Sequence, residues 1–134
     1  LFDQGADIIY AAAGKSGLGA IELVKQRNND YVIGVDSDQD ALAPGKILTS
    51  MVKHVDNAVL GVCKGAVDGK FPGGHLVLGL AQNGVGLTDF QYTKQAIGPA
   101  NIARVNRIRQ AIVARKIVPP ATREELASFK PVPL

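Results

Sequence analysis

The chain has 134 residues, the length of one typical domain, and its 46% hydrophobic and 20% charged residues are ordinary for a globular protein. A net charge of +3 favours neither nucleic acid nor a membrane surface as a partner. The longest apolar stretches, residues 8–13 and 76–81, are too short to cross a bilayer. Cys63 is the only cysteine, which excludes an intrachain disulfide and a cysteine-rich metal site, and we predict that it is a small buried thiol.

The first predicted unit consists of a strand, a helix and a second strand. Residues 7–13 are an apolar run with β-branched side chains, as expected for a strand buried on both faces. A glycine-rich turn at residues 14–19 leads into a helix over residues 18–27, and residues 31–36 form the next strand. A short helix between two strands predicts a parallel pair joined by a right-handed crossover.

A further strand and helix follow a polar connection. Residues 47–53 are predicted to form a strand that ends in a lysine. The helix predicted over residues 55–67 is the clearest in the chain, because its apolar residues recur at helical spacing, and Gly69 ends it. Its predicted apolar face consists of Val55, Ala58, Val59, Val62, Ala66 and Val67.

The remaining sequence predicts one more strand and a long helix. Residues 75–80 have the apolar character of a strand, and residues 87–90 continue in an extended pattern. A helix is expected over residues 102–117, where an aliphatic stripe ends at two prolines, and the tail at residues 127–134 is expected to be loosely ordered. This order of elements predicts an α/β fold with a parallel sheet flanked by helices.

The glycine turn completes neither of the two phosphate-binding motifs that it resembles. Gly14 and Lys15 would need a glycine five positions before Gly14 to form a Walker A loop, and Ile9 stands there. The Rossmann dinucleotide fingerprint fails as well, because Glu22 occupies the place of its third glycine.

A sugar-binding carboxylate is nevertheless predicted at the end of the second strand. Ligands of open parallel sheets bind at the carboxyl ends of the strands, where both the glycine turn and Asp36 lie. A carboxylate there can accept charge-assisted hydrogen bonds from the two vicinal hydroxyls of a ribose. One alternative function is therefore an NAD(P)-type dinucleotide-binding enzyme domain that uses the turn at residues 14–19 and Asp36. The simpler alternative is that Asp36 only caps its own loop.

No catalytic set of residues is recognisable. His54 and His75 are the only histidines, and we predict that both are structural or surface residues. No base stands at a recognisable spacing from Ser16, Ser50 or Cys63. We therefore predict neither an enzyme nor a bound cofactor or metal.

Basic residues gather near the end of the chain, with no acidic residue from Lys94 to Lys116. They could bind nucleic acid, and a regulatory protein that uses this helix remains a third possibility. Because no aromatic residues are interleaved and no helix-turn-helix pattern is present, we interpret them as a solvated helix face and expect no nucleic-acid partner. The set comprises Lys94, Arg104, Arg107, Arg109, Arg115 and Lys116.

Five blocks, taken in order, make the chain similar to a known family. The sequence resembles the basic-membrane-protein (BMP-type) solute-binding lipoproteins, the receptors of ABC importers, which include purine-nucleoside receptors. The resemblance covers residues 4–118 and matches the C-terminal half of the family. The blocks are GADII at 5–9, AGKSGLG at 13–19, GVDSDQ at 34–39, ILTSMVK at 47–53 and NGVGL at 83–87.

The resemblance implies a type I periplasmic-binding-protein fold, in which two α/β lobes clamp a ligand between them. Residues 1–53 and 75–92 would belong to the second lobe, and residues 54–74 would cross to the first. Residues 93–118 would be a C-terminal helix and residues 119–134 a tail. The N-terminal lobe would be absent. A strand so close to the first residue, with no initiator Met or signal segment before it, also suggests a piece of a longer protein.

The resemblance also implies three ligand-binding residues. Gly14 would contact the nucleoside through its backbone, Asp36 would accept hydrogen bonds from the ribose diol, and Lys53 would donate to the sugar hydroxyls. Lys15 replaces the second glycine of the family's usual turn, which could admit a more anionic ligand. The implied partners are a nucleoside-type small molecule, an ABC permease and the missing lobe, at an extracytoplasmic, lipid-anchored location. Alone, the chain would bind a nucleoside weakly or not at all.

Overall fold

The computed structural model describes residues 1–71 and 73–130, and the chain divides into two compact units, 1–97 and 98–134. In its described residues the first unit holds a four-stranded sheet and three α-helices. Its strands are β1 (Ile8–Tyr10), β2 (Tyr31–Asp36), β3 (Ile47–Lys53) and β4 (Val85–Leu87). Its helices are α1 (Gly17–Val24), α2 (Val55–Val67) and the single turn α3 (Lys94–Ile97).

The strands lie in sequence order, β1-β2-β3-β4. The first three are parallel, with Ile9 opposite Val32 and Gly34 opposite Ser50, and β4 runs antiparallel to β3. Since each of the first two connections brings the chain back to the end of the sheet where the preceding strand began, the carboxyl ends of β1, β2 and β3 lie together. The predicted α/β fold with a mainly parallel sheet is confirmed.

The core lies between α1 and one face of the sheet. Ile21 and Val24, three positions apart on α1, point towards β2 and β3, where Val32 and Ile47 are also fully buried. Phe2 extends this cluster and carries the Arg27 guanidinium over its ring, 5.1 Å from the centroid. This packing fixes the crossover between β1 and β2, and therefore the point at which the chain leaves β1.

The helix α2 has the predicted bounds but not the expected environment. None of its residues is buried, and its apolar face lies open, with Val59 55% exposed and Val67 87% exposed. Cys63 on the same helix is exposed, so the prediction of a buried thiol was wrong. Helical spacing gave the correct helix, but what covers an apolar face depends on partners that spacing does not reveal.

The strand predicted over residues 75–80 does not form. Residues 75–79 have no regular structure, Leu76 and Val77 are exposed, and a short 3₁₀ helix (Leu80–Gln82) follows. Within residues 1–71 and 73–130 this apolar run joins none of the four strands of the sheet.

The second unit is helical in its described part, residues 98–130. Helix α4 (Pro99–Val113) begins and ends a few residues earlier than the predicted helix over 102–117. Helix α5 (Arg123–Ser128) lies in the segment expected to be a tail, and a capping box between Thr122 and Glu125 begins it. Residues 131–134 of the expected tail lie outside the described residues. No helix in the described part of the chain combines the length and hydropathy needed to cross a membrane.

Candidate ligand-binding site

The exit of β1 is shaped by a glycine in a left-handed conformation. Gly14 has φ +53° and opens a short 3₁₀ helix (Gly14–Ser16) that runs directly into α1. Its position is open, with no heavy atom within 4 Å of an added Cβ, so the backbone angle is what favours glycine here. The following Lys15 is exposed. A ligand at this edge can therefore approach the Gly14 backbone closely.

The exit of β2 is a strained turn centred on Asp36. This residue has φ +69°, and the Ser37 amide donates to the Val35 carbonyl across it at 2.8 Å, the hydrogen bond of a γ-turn. A γ-turn with positive φ is rare for a residue with a side chain, and such backbone strain costs about 1–3 kcal/mol. The turn lies at the carboxyl end of β2, where the Asp36 side chain is exposed.

The exit of β3 brings a lysine to that carboxylate. Lys53 is the last residue of β3, and its Nζ lies 2.7 Å from Asp36 Oδ1. The pair forms because the parallel register places Asp36 opposite Val52, one residue before the lysine. Both side chains remain about half exposed, 56% for Lys53 and 53% for Asp36, so a solute can reach either of them.

The ion pair changes the titration of the lysine. The hydrogen bond that Lys53 donates to Asp36 and the negative charge of Asp36 raise the pKa of Lys53 above its ordinary 10.5, and a smaller contribution comes from Tyr10. The lysine therefore carries its charge throughout the neutral range. A raised folded pKa means that the pair stabilises the fold below pH 10.5 and that this contribution is lost as the pH rises through the folded value.

This ion pair yields a prediction about titration. We expect Asp36→Asn to move the Lys53 midpoint down towards 10.5, because the partner carboxylate is gone. The carbon next to Nζ reports this midpoint in an NMR titration. Asp38→Asn is the matched control, since the Asp38 carboxylate accepts from the Asp40 amide instead. An unchanged Lys53 midpoint in Asp36→Asn would contradict the pair.

The structure joins two of the three predicted site residues directly. Asp36 and Lys53 form an ion pair, whereas Gly14 shares with them only its position at the carboxyl end of the parallel strands. Tyr10, which the sequence did not single out, is the exposed last residue of β1 and makes a small electrostatic contribution to the raised pKa of Lys53. The predicted strand over residues 7–13 concealed this position, because the observed β1 ends at Tyr10 and pairs with the strand that ends in Asp36.

The arrangement offers complementary groups for a polyhydroxylated solute. A half-exposed carboxylate accepts hydrogen bonds from hydroxyls, and the ammonium beside it donates to hydroxyl oxygens. No group of three or more His, Cys, Asp or Glu side chains within residues 1–71 and 73–130 is placed to hold a metal ion. The carboxylate and the ammonium can each form a hydrogen bond directly with a hydroxyl.

Curated relatives of the chain carry the names of membrane proteins and lipoproteins. "Basic membrane protein D" of Borreliella burgdorferi is 44% identical over 93 residues, which is 65% of this chain and 26% of that protein. "Basic membrane protein B" of Borreliella afzelii is 33% identical over 136 residues, 96% of this chain and 36% of that protein. An uncharacterised lipoprotein of Pyrococcus abyssi is 39% identical over 100 residues, 71% of this chain and 25% of that protein. The chain thus spans a quarter to about a third of these relatives.

Solved structures share the fold. A solute-binding protein of an ABC transporter system from Aeropyrum pernix K1 superposes with a TM-score of 0.77 at 24% identity, over 95% of this chain and 44% of that one. A protein described as a transcriptional activator of the comK gene from Bacillus halodurans gives a TM-score of 0.78 at 24% identity, over 89% and 41% of the two chains. At this level of identity the likeness concerns the fold alone.

A family model covers most of the chain. The family described as "Bmp: ABC transporter substrate-binding protein PnrA-like" matches residues 1–123, which include the exits of β1, β2 and β3. The family is described as substrate-binding proteins, and the relatives named above are described as membrane proteins or a lipoprotein, none of them as an enzyme. This chain belongs to the Bmp family of PnrA-like ABC transporter substrate-binding proteins.

Proposed function

We propose that the chain forms part of the ligand cleft of an ABC importer's solute-binding subunit, and that the solute is a nucleoside or a related ribose-bearing molecule. The observation that carries the proposal is the Asp36–Lys53 pair, 2.7 Å apart and half exposed, at the carboxyl ends of adjacent parallel strands. Membership of a substrate-binding family supports the general role. The choice of ribose rests on the chemistry of the pair.

The pair matches a vicinal diol better than it matches an anion or an apolar solute. The two oxygens of Asp36 can each accept from one hydroxyl, and hydrogen bonds to a charged group contribute about 1.5–3 kcal/mol. Lys53 stays charged, since its pKa is raised, and can donate to a sugar oxygen. Gly14 would add a close backbone contact from the neighbouring strand exit.

Three uncovered regions of the first unit support the proposal that this chain forms only part of the cleft. The apolar face of α2 is uncovered, Leu76 and Val77 are exposed, and β1 has a free edge. Beside that edge lies an open groove of about 390 Å³, lined by Ile9, Leu23 and their neighbours on β1 and α1. Large uncovered apolar surfaces on a domain mark sites of contact.

We propose that the complete protein covers these surfaces with a first lobe. Residues 1–53 and 75–92 would then belong to the second lobe, and residues 54–74 would cross to the first. Residues 93–118 would contribute the C-terminal helix, and residues 119–134, which include the short helix α5, would be the tail. In this arrangement the exits of β1, β2 and β3 supply one wall of the cleft and the first lobe supplies the other.

The proposed crossing predicts different effects of one substitution in two contexts. In the 134-residue chain, Val59→Glu should change the free energy of unfolding by no more than about 0.5 kcal/mol, because Val59 is exposed. In the complete protein the same change would bury an unpaired charge and destabilise by about 3–5 kcal/mol. Denaturant unfolding of both proteins measures the difference.

The matched control for this substitution is Asn57→Glu, on the opposite, polar side of α2. It introduces the same charge and is expected to have a small effect in both proteins. Equal, small effects of Val59→Glu in the two contexts would contradict the crossing.

Calorimetry on the complete protein tests the proposed ligand. We expect a purine or pyrimidine ribonucleoside to bind at micromolar concentration or better, and its 2′,3′-dideoxy analogue to bind much more weakly. NAD is the comparison for a dinucleotide site, and preference for NAD over every nucleoside would contradict the proposal. The 134-residue chain alone is expected to bind weakly or not at all, and micromolar binding by it would contradict the two-lobe cleft.

The names of relatives support a location and a partner for the complete protein. One relative is named a lipoprotein and others are named membrane proteins. We propose an extracytoplasmic protein that a lipid anchor holds at the membrane, where it delivers its solute to an ABC permease.

A further inference from the structure

A buried polar network lies directly beneath the Asp36 turn. Ser50 on β3 is fully buried, and its hydroxyl donates to Asp40 Oδ1 at 2.6 Å. The same hydroxyl accepts a hydrogen bond from the backbone amide of Gln39 at 3.1 Å. The Gln39 side chain in turn accepts from the Val35 amide at 2.9 Å, immediately before Asp36. The Ser50 hydroxyl on β3 is thereby connected, through Gln39, to Val35, the residue that precedes the strained turn.

The network is closely packed as well as hydrogen-bonded. Asp40 is only 4% exposed, and its own amide donates to Asp38 Oδ1 at 2.9 Å, which closes the loop after the turn. A Cβ added to Gly34 would lie 2.6 Å from Ser50 Oγ and 2.9 Å from Gln39 Oε1. The absence of a side chain at Gly34 leaves the room that the network occupies.

A strained backbone persists only where the surrounding contacts determine it. The Val35 amide lies next to the Asp36 turn, and the Gln39 side chain holds it in place. Gln39 is held by Ser50, and Ser50 belongs to the same strand that ends in Lys53. The network therefore fixes the tip of β2 relative to the tip of β3, which are the two places from which the candidate ligand groups extend.

We propose that Ser50 is a positioning residue for solute binding, whose buried hydroxyl holds the left-handed turn that directs the Asp36 carboxylate towards the ligand. This inference rests on the proposed function. Ser50 does not touch the solute and acts through Gln39 and Asp36. Its loss would cost affinity for the hydroxyls that Asp36 binds, and for no other part of the ligand.

A double-mutant cycle in the complete protein tests the inference. We expect Ser50→Ala to weaken binding of a ribonucleoside on the order of tenfold, the effect of losing about 1.4 kcal/mol. Asp36→Asn alone should weaken it at least as much, and the Asp36→Asn/Ser50→Ala protein should bind no worse than Asp36→Asn. Additive losses in the double variant would overturn the inference, since a residue that acts only through Asp36 cannot matter once that carboxylate is gone.

Two further proteins separate positioning from general stability. Thr93→Val removes another buried hydroxyl, which donates to the Leu48 carbonyl of β3 at 2.6 Å, and should lower stability while affinity is kept. Should Ser50→Ala fail to fold, Gln39→Met removes the acceptor of the Val35 amide and should give the same non-additive loss with Asp36→Asn. Retained affinity in a folded Ser50→Ala or Gln39→Met protein would overturn the inference.

Hydrogen exchange of the Val35 amide gives a readout that needs no ligand. It should accelerate in Ser50→Ala and remain slow in Thr93→Val, and equal protection in wild type and Ser50→Ala would overturn the inference. Failure of the proposed function has a different signature. In that case the wild-type complete protein would not bind ribonucleosides, while the exchange difference at Val35 would persist.

Discussion

Replacing Asp36 by asparagine in the complete protein is expected to weaken ribonucleoside binding by about 1.5–3 kcal/mol, or roughly 10–150-fold in the dissociation constant. Asparagine keeps the size of the side chain but loses the charge and one of the two acceptor oxygens. It also releases Lys53 from its 2.7 Å partner, so the ammonium is free to point away from the sugar. Titration calorimetry of the two proteins measures the change.

Two controls make the Asp36→Asn result specific. A 2′,3′-dideoxynucleoside lacks the hydroxyls that the carboxylate would bind, so its weak affinity should fall little further in the variant. Asp38→Asn removes a neighbouring exposed charge and keeps an acceptor for the Asp40 amide, so it should leave affinity close to wild type. Equal affinity of wild type and Asp36→Asn for the ribonucleoside would remove Asp36 from the site.

Gly34→Ala is expected to destabilise the fold by about 1–3 kcal/mol, the usual cost of overpacking a filled interior. The new methyl group would lie 2.6 Å from Ser50 Oγ and 2.9 Å from Gln39 Oε1, closer than real contacts allow. Because both groups belong to the network under the Asp36 turn, ligand affinity should fall as well. Denaturant unfolding and calorimetry together measure the two effects.

Gly61→Ala is the matched glycine control for this substitution. Gly61 lies within α2, and a Cβ added there meets no heavy atom within 4 Å. In the 134-residue chain the change should raise the free energy of unfolding by about 1 kcal/mol through helix propensity. A Gly34→Ala protein as stable as wild type would show that the network tolerates the extra volume, contrary to the packing described.

Local sequence pattern correctly predicted three elements of the fold. Strands β2 and β3 and helix α2 have the predicted bounds, because apolar runs and helical spacing are properties of the segments themselves. The proximity of Asp36 and Lys53 was also foreseeable, since parallel strands end at one edge of a sheet. Their direct ion pair was not predicted.

Features that depend on residues distant in the sequence could not be predicted from local sequence pattern. The apolar run at residues 75–80 has the character of a strand, yet it pairs with no strand in the described chain. Asp36 has a left-handed conformation beside a network that includes Gln39 and Ser50, and Ser50 lies 14 positions away on another strand, so no local motif predicts this arrangement. The exposure of Cys63 follows from the uncovered face of α2 rather than from any property of the residue.

We propose that the carboxyl ends of β1, β2 and β3 hold a ribose. A crystal structure of the complete protein with a bound ribonucleoside tests this proposal most directly. We expect each Asp36 carboxylate oxygen within about 2.5–3.0 Å of one ribose hydroxyl, with Lys53 Nζ donating to the sugar and the Gly14 backbone beside it. A nucleoside bound elsewhere, with Asp36 and Lys53 still paired to each other and facing water, would contradict the account.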